Sequence, residues 1–390
     1  MCNNRVAWTF ARRIGAFLGL ALAVSLLGGG VAVAAQISSP SSFKDDFDSR
    51  MASDGESLWF GVTGLDGANE MRTEVFTYRN GKWAALPGRP LSTTQTALLL
   101  VARKSLGNQS IPCVGRTTRK NEPLIQCFQR GHWRSKPISK SLRNMALVGM
   151  NCDGRRLIAL FSDREGRSTK VKVAQLTDGQ LRQKGSALKL AGGAIVATLG
   201  DKTRRSRSTN VDVGLENIVA RQRWVATLHA GVWSRSLSLP QIEPGPQASG
   251  PVRAGHSIFF PVVNTGAENW PFFLYHRKGG GRWSQVGGGA LSDKTGKAQG
   301  VVDPAGNDVW AAWGQHGKFA NDGLAPTSVH AALVGSEGDH LEREILLWSG
   351  RTIGPGPVQV VDYLGEPVFM YSRQFDDGRG LHATVDFSHR

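Results

Sequence analysis

The sequence predicts an all-β chain folded as a seven-bladed β-propeller. Its blades are four-stranded and antiparallel, and an N-terminal strand closes the ring. Three observations point there. A hairpin signature recurs about every 50 residues, a second series of turn glycines runs one unit ahead of it, and no stretch after residue 35 shows helical periodicity of helix length.

The hairpin signature is an aromatic or apolar residue, a turn with Gly, and Trp or Leu starting the return strand. It reads Tyr78-Arg79-Asn80-Gly81-Lys82-Trp83, then Phe128-Gln129-Arg130-Gly131-His132-Trp133 and Leu228-His229-Ala230-Gly231-Val232-Trp233. With extra glycines it returns from Tyr275 to Trp283, and in weaker form at Asp178-Gly179-Gln180-Leu181 and Gly338-Asp339-His340-Leu341. Measured on Trp or Leu, the steps are 50, 48, 52, 50 and 58 residues, a period that implies a repeat architecture. A large ring at one place in four units is expected to pack between blades rather than to meet a ligand.

The second series precedes each hairpin. Gly55, Gly107, Gly154, Gly200, Gly255, Gly306 and Gly365 each lead into an apolar strand such as Leu58-Trp59-Phe60 or Val309-Trp310-Ala311-Ala312-Trp313. Seven first turns stand against six second hairpins. The second unit shows the four strands expected of a blade, at 97–102, 111–116, 124–129 and 132–138, rich in Val, Ile, Phe and Trp. The seventh holds only three, at 358–363, 368–372 and 381–387, so its outer strand is expected from residues 36–47. That pairing would remove two exposed sheet edges. Six blades is the alternative if the 295–350 unit is parsed differently.

Residues 1–35 read as a secretory signal peptide, leaving 36–390 as a single propeller domain. Arg5, Arg12 and Arg13 precede the apolar run 14–27, and small residues fill 28–35. An uncleaved N-terminal anchor is the alternative, because 14–35 is long enough to span a bilayer. The protein is therefore expected to be secreted, extracellular or periplasmic, and monomeric. Loss of the leader lowers the net charge from +16 by three, to +13, and such an excess attracts anionic partners through the field of the whole molecule. In an oxidising compartment Cys113 and Cys127, flanking a polar loop at 117–122, are expected to pair. Cys127 with Cys152 is the alternative.

Propeller ligands usually meet the face made by the second-to-third-strand loops and the connections between blades. On those loops the candidate binding residues are Arg164, Glu165 and Arg167, then Trp270, His316 and Lys318, then Tyr371, Arg373, Asp376 and Arg379. Mixed arginine and acid beside one Trp suits polar recognition, with Trp270 as a platform for a sugar; solvated loops are polar for simpler reasons too. The basic run Lys202-Thr203-Arg204-Arg205-Ser206-Arg207 falls in a first-to-second loop on the opposite face and would mark a separate anionic contact. There is no GxSxG, no glycine-rich phosphate loop before a helix and no histidine cluster with metal spacing, so neither cofactor nor metal is expected. Nucleic acid is not expected as a partner, since charge alone supports it.

The turn Arg79-Asn80-Gly81-Lys82-Trp83 resembles that of bacterial sialidase-type (Asp-box) propellers, whose box is Ser/Thr-x-Asp-x-Gly-x-Thr-Trp. It lacks the Ser/Thr and the Asp, and its Trp stands one place nearer the Gly. Asp303-Pro304-Ala305-Gly306-Asn307 before Trp310 is similar to secreted bacterial propellers, and Asp153-Gly154-Arg155-Arg156-Leu157 to seven-bladed lectins. The sialidase resemblance implies a glycoside hydrolase with an arginine cluster and a Tyr nucleophile beside an acid. Tyr371, followed by Arg373, Asp376 and Asp377, is the candidate among the four tyrosines. The leading expectation is a non-catalytic extracellular binding propeller for a glycan, an anionic polymer or a protein, free or surface-associated. The hydrolase is the alternative.

Overall fold

A computed structural model describes residues 35–387 apart from 37–42, 67, 69, 89–97, 105–108, 119, 121, 154–155, 193–194, 207, 240–248, 265–268, 293–296 and 375–380. The expected signal peptide 1–35, apart from Ala35, and the candidates Asp376 and Arg379 therefore lie outside the described residues. So do the turn glycines Gly107 and Gly154. Among the described residues no helix is long and apolar enough to cross a membrane.

Seven separate sheets of four or five strands form the molecule. Blade 1 runs Phe43–Ser53, Leu58–Asp66, Met71–Arg79 and Lys82–Ala85, each strand hydrogen-bonded antiparallel to the next. The same order recurs over 99–135, 146–183, 195–235, 252–285 and 297–352. Blade 7 takes Gly354–Tyr363, Glu366–Gln374 and Leu381–Asp386 from the C-terminal end of the chain. Its fourth strand is Ala35–Gln36, paired as Ala35↔Val385 and Gln36↔Thr384. The described donor residues thus lie at the very start of the predicted 36–47 and just before it, and residues from Phe43 onward form the innermost strand of blade 1.

The repeating hairpin is explained by its backbone. In four blades the central turn residues both have positive φ: Asn80 and Gly81 at 51° and 76°, Arg130 and Gly131 at 53° and 80°. Asp178–Gly179 and Ala230–Gly231 do the same. Two left-handed residues match the right-handed twist of the flanking strands, which is why a two-residue turn with Gly second is selected. The tryptophan after it then lies across from the aromatic or leucine before it, as in Tyr78↔Trp83 and Leu228↔Trp233.

Each sheet buries both faces against its neighbours. Seven apolar clusters result, one in each interface between consecutive blades, including the seam between blades 7 and 1. Trp83, Trp133, Trp233 and Trp283 each join the cluster shared with the preceding blade. Trp233 and Trp283 also donate Nε1–H to carbonyls just beyond the preceding blade's outer strand, Ser186 and Leu237, at 2.9 Å. All four rings are only half-buried, being at the outer rim. Close approach elsewhere demands a bare backbone: a Cβ at Gly214 would stand 2.6 Å from the Phe260 ring of blade 5.

Cys113 and Cys127 face each other directly on the second and third strands of blade 2 and are disulfide-bonded. Cys152 is a free thiol on the innermost strand of blade 3.

Two outcomes follow for stability. Trp83→Ala should cost about 2–3 kcal/mol, below the 3–5 of a fully enclosed Trp, because the ring keeps solvent contact. A loss under about 1 kcal/mol in a urea titration would refute the clasp. Replacing both Cys113 and Cys127 by Ser should remove roughly 3 kcal/mol through restored freedom of the unfolded loop. An unshifted thermal midpoint would contradict that.

Candidate functional site

Strand order divides the ring into two faces. One carries the first-to-second turns and the third-to-fourth hairpins (the turn face). The other carries the second-to-third loops and the connections between blades (the loop face). The innermost strands line a central cavity of about 640 Å³ between them.

On the loop face the described candidates fall into three groups. Trp270 of blade 5 is half-buried, and the exposed Lys297 of blade 6 holds its Nζ 4.9 Å above the ring. Lys297 sits across from His316, whose ring lies 5.1 Å from that of Phe319, itself 52% exposed; Lys318 is exposed between them. At the next interface Arg373 of blade 7 lies 4.8 Å above Trp348 of blade 6 and 5.5 Å from Tyr371. Its Nη2 donates to Thr384 Oγ1 at 2.9 Å, and burial lowers its pKa. A device repeats here: a cation from one blade covers a tryptophan of the blade before it. Arg164, Glu165 and Arg167 lie apart on blade 3, which borders neither group, and Glu165 is occupied by Lys170 at 3.4 Å. Lys297, Phe319 and Trp348 were not among the predicted site residues. The cross-strand pairing with His316 could have pointed to Lys297, whereas Trp348 meets Arg373 only through blade packing.

Tyr371 is 4% exposed and belongs to the cluster between blades 6 and 7. Burial raises its pKa. A phenol enclosed in that way is not placed to attack a sugar, and the turn 79–83 is a two-residue hairpin on the opposite face.

The cavity has the opposite character to the surface. Asp54, Asp153, Asp201, Asp303 and Asp362 line it against Arg50, Lys202 and Arg204, an acidic lumen in a chain of net charge +16. Asp303 Oδ2 accepts the Val360 N–H of blade 7 at 2.9 Å, and burial pushes its pKa up to about 7. Asp201 is also raised by burial. Lys202 Nζ pairs with Asp153 Oδ2 at 2.8 Å and Arg204 Nη2 with Asp362 Oδ2 at 2.8 Å. The basic run on the turn face therefore has two of its cations in ion pairs, Arg207 being outside the described residues.

No family model matches the sequence, and no curated protein is significantly similar to it. The fold is shared more widely. A polysaccharide lyase of the ulvan lyase class, solved with a GlcA(1-4)Rha3S ligand, superposes with a TM-score of 0.56 at 9% identity, covering 89% of this chain and 95% of that one. A protein of unknown function from Dyadobacter fermentans gives 0.50 at 11% identity, over 91% and 97%. A six-bladed fucose-binding lectin from Aleuria aurantia reaches only 0.45, too distant to bear on this chain. At these identities the likeness concerns architecture alone.

The titration of Asp303 can be isolated with Asp303→Asn. Unfolded Asp loses its proton near pH 4, while the folded side chain holds it to about 7. The folded state thus binds the extra proton in that window, and stability drains away as pH rises through it. The parent should lose stability relative to the variant between about pH 4 and 7, by no more than about 1.4 kcal/mol per unit, and run parallel above. Parallel curves throughout would exclude the assignment.

Proposed function

We propose that this chain is a non-catalytic binding propeller that engages an anionic polymer, foremost an acidic polysaccharide, on the loop face of blades 5 to 7. The observation that carries this reading is the pair of cation-covered tryptophans, Lys297 on Trp270 and Arg373 on Trp348. A bare indole is a platform for a neutral sugar, but a cation above the ring occupies that face and offers N–H donors to a carboxylate or sulfate. Exposed Lys318 and the excess of basic residues extend the same field. The ulvan lyase named above is a propeller solved with a GlcA-containing polysaccharide, which makes an acidic glycan the natural first ligand to try. A signal peptide and the Cys113–Cys127 bridge would fit an extracytoplasmic setting, with the protein acting as a monomer; cleavage before Ala35 rather than after it would keep the strand that completes blade 7.

Retention on immobilised acidic polysaccharide over a salt gradient tests the reading. Lys297→Ala and Lys318→Ala should each weaken binding about two- to fivefold, the worth of one exposed charge contact of about 0.5–1 kcal/mol. Arg205→Ala, on the turn face, should leave it unchanged. Equal retention of all three variants and the parent would reject this face as the binding surface.

A further inference from the structure

The first-to-second connection of blade 4, between Ile195–Leu199 and Val211–Asn217, leaves its own blade. Its path can be followed one blade at a time. The Asp201 N–H donates to the Pro251 carbonyl at 2.8 Å, and Asp201–Lys202 pairs in parallel with the innermost strand of blade 5. The Thr203 N–H donates to Arg253 of blade 5 at 2.9 Å, and the Arg204 N–H to Gly306 in the turn of blade 6 at 2.7 Å. The Arg204 side chain then reaches Asp362 in the turn of blade 7. Its guanidinium lies against the turn of blade 1, where a Cβ on Gly55 would stand 1.5 Å from Nη2. One short segment thus touches blades 5, 6, 7 and 1 in succession. Thr203 and Ser206 are 2% and 5% exposed although the segment carries no apolar side chain, so it is built into the ring rather than laid on it.

Residues along this path also line the turn-face end of the central cavity, together with Gly55, Gly306 and Asp362. We propose that Asp201–Ser206 is a strap that closes the channel at the turn face, with the Arg204–Asp362 ion pair as its releasable latch. The anchoring is graded in a way that favours release at that point. Up to Thr203 the strap is held by strand pairing and backbone bonds to blade 5. Lys202 is doubly fixed, by Asp153 and by the Ser208 carbonyl at 2.7 Å. Beyond Thr203, among the described residues, the Arg204 N–H bond and the latch are what reach across to blades 6 and 7. The Arg204 side chain is 53% exposed, so the latch is open to screening by salt, unlike a buried pair. Asp362 is steadied from the other side, its Oδ1 accepting the Gly365 N–H at 2.9 Å. Release would therefore move the strap and leave the turn of blade 7 in place.

Cys152 supplies the reporter, since it is a free thiol on the channel wall. In a Cys2→Ser background, alkylation of Cys152 by a small neutral maleimide at fixed pH would be followed by mass spectrometry. Arg204→Ala and Asp362→Asn should each raise the labelling rate about two- to fivefold, as expected for loss of one half-exposed ion pair. Raising NaCl from about 0.05 to about 0.5 M should speed labelling of the parent and leave the Arg204→Ala rate unmoved. Should a variant fail to fold, the salt response of the parent decides alone. A parent rate independent of salt, or folded variants labelled no faster than the parent, would overturn the strap.

Discussion

Everything in this protein depends on burying both faces of a small, strongly twisted sheet. Four strands of two to twelve residues have two apolar faces and, among the described residues, no helix longer than three residues to cover either. Each blade must use its neighbours as solvent. Stacking in a line would leave two bare ends; stacking in a ring leaves none, provided that the last blade meets the first. The seven apolar clusters are the seven solutions to that one requirement. The seam between blades 7 and 1 is the revealing one, because there the described part of the crossing strand, Ala35–Gln36, is joined by side-chain contacts between the two blades. Tyr78 stacks on Phe387 at 4.7 Å, Ser49 and Ser372 share a buried hydrogen bond at 2.8 Å, and the Gln359 side chain caps the Met51 N–H at 2.7 Å.

The architecture was legible in the sequence because its signals are local. A two-residue turn with two left-handed residues needs Gly at its second position, and the return strand starts at the next residue, with Trp or Leu second in it. Gly81, Gly131, Gly179 and Gly231 therefore mark blades as a ruler marks length. The facing cysteines were legible for the same reason, since Cys113 and Cys127 are equidistant from one hairpin loop. The closing strand was placed in the right part of the chain, its described residues lying at the very start of that stretch and just before it. Two residues have no periodicity of their own, and the longer run after Phe43 belongs to blade 1.

The site was less legible, because its partners come from different blades. Trp270, His316 and Arg373 could be picked out as polar-loop residues, and the strand pairing of His316 leads on to Lys297, yet nothing near Arg373 in the sequence names Trp348 as the group it meets. Tyr371, picked out for its company of Arg373 and acids, is core: alternate residues of its strand face opposite ways, and a neighbouring blade covers each side. The basic run at 202–207 is divided by the fold, with Arg205 exposed on the turn face. Lys202 and Arg204 are instead paired with carboxylates on other blades, Arg204 while still half-exposed. Composition reports how many charges there are; topology decides where they are spent.

The acidic lining of the lumen has a consequence for how a polyanion could lie on this molecule. A negatively charged polymer attracted to the rim by Lys297 and Lys318 finds the described cations of the axis, Arg50, Lys202 and Arg204, already paired with carboxylates. Threading is disfavoured, and the favourable path is tangential, skirting the hole from one blade to the next. A protein that grips its ligand tangentially needs no free terminus to start from. It would recognise the interior of a long chain as readily as a fragment of it, and several copies could decorate one strand side by side.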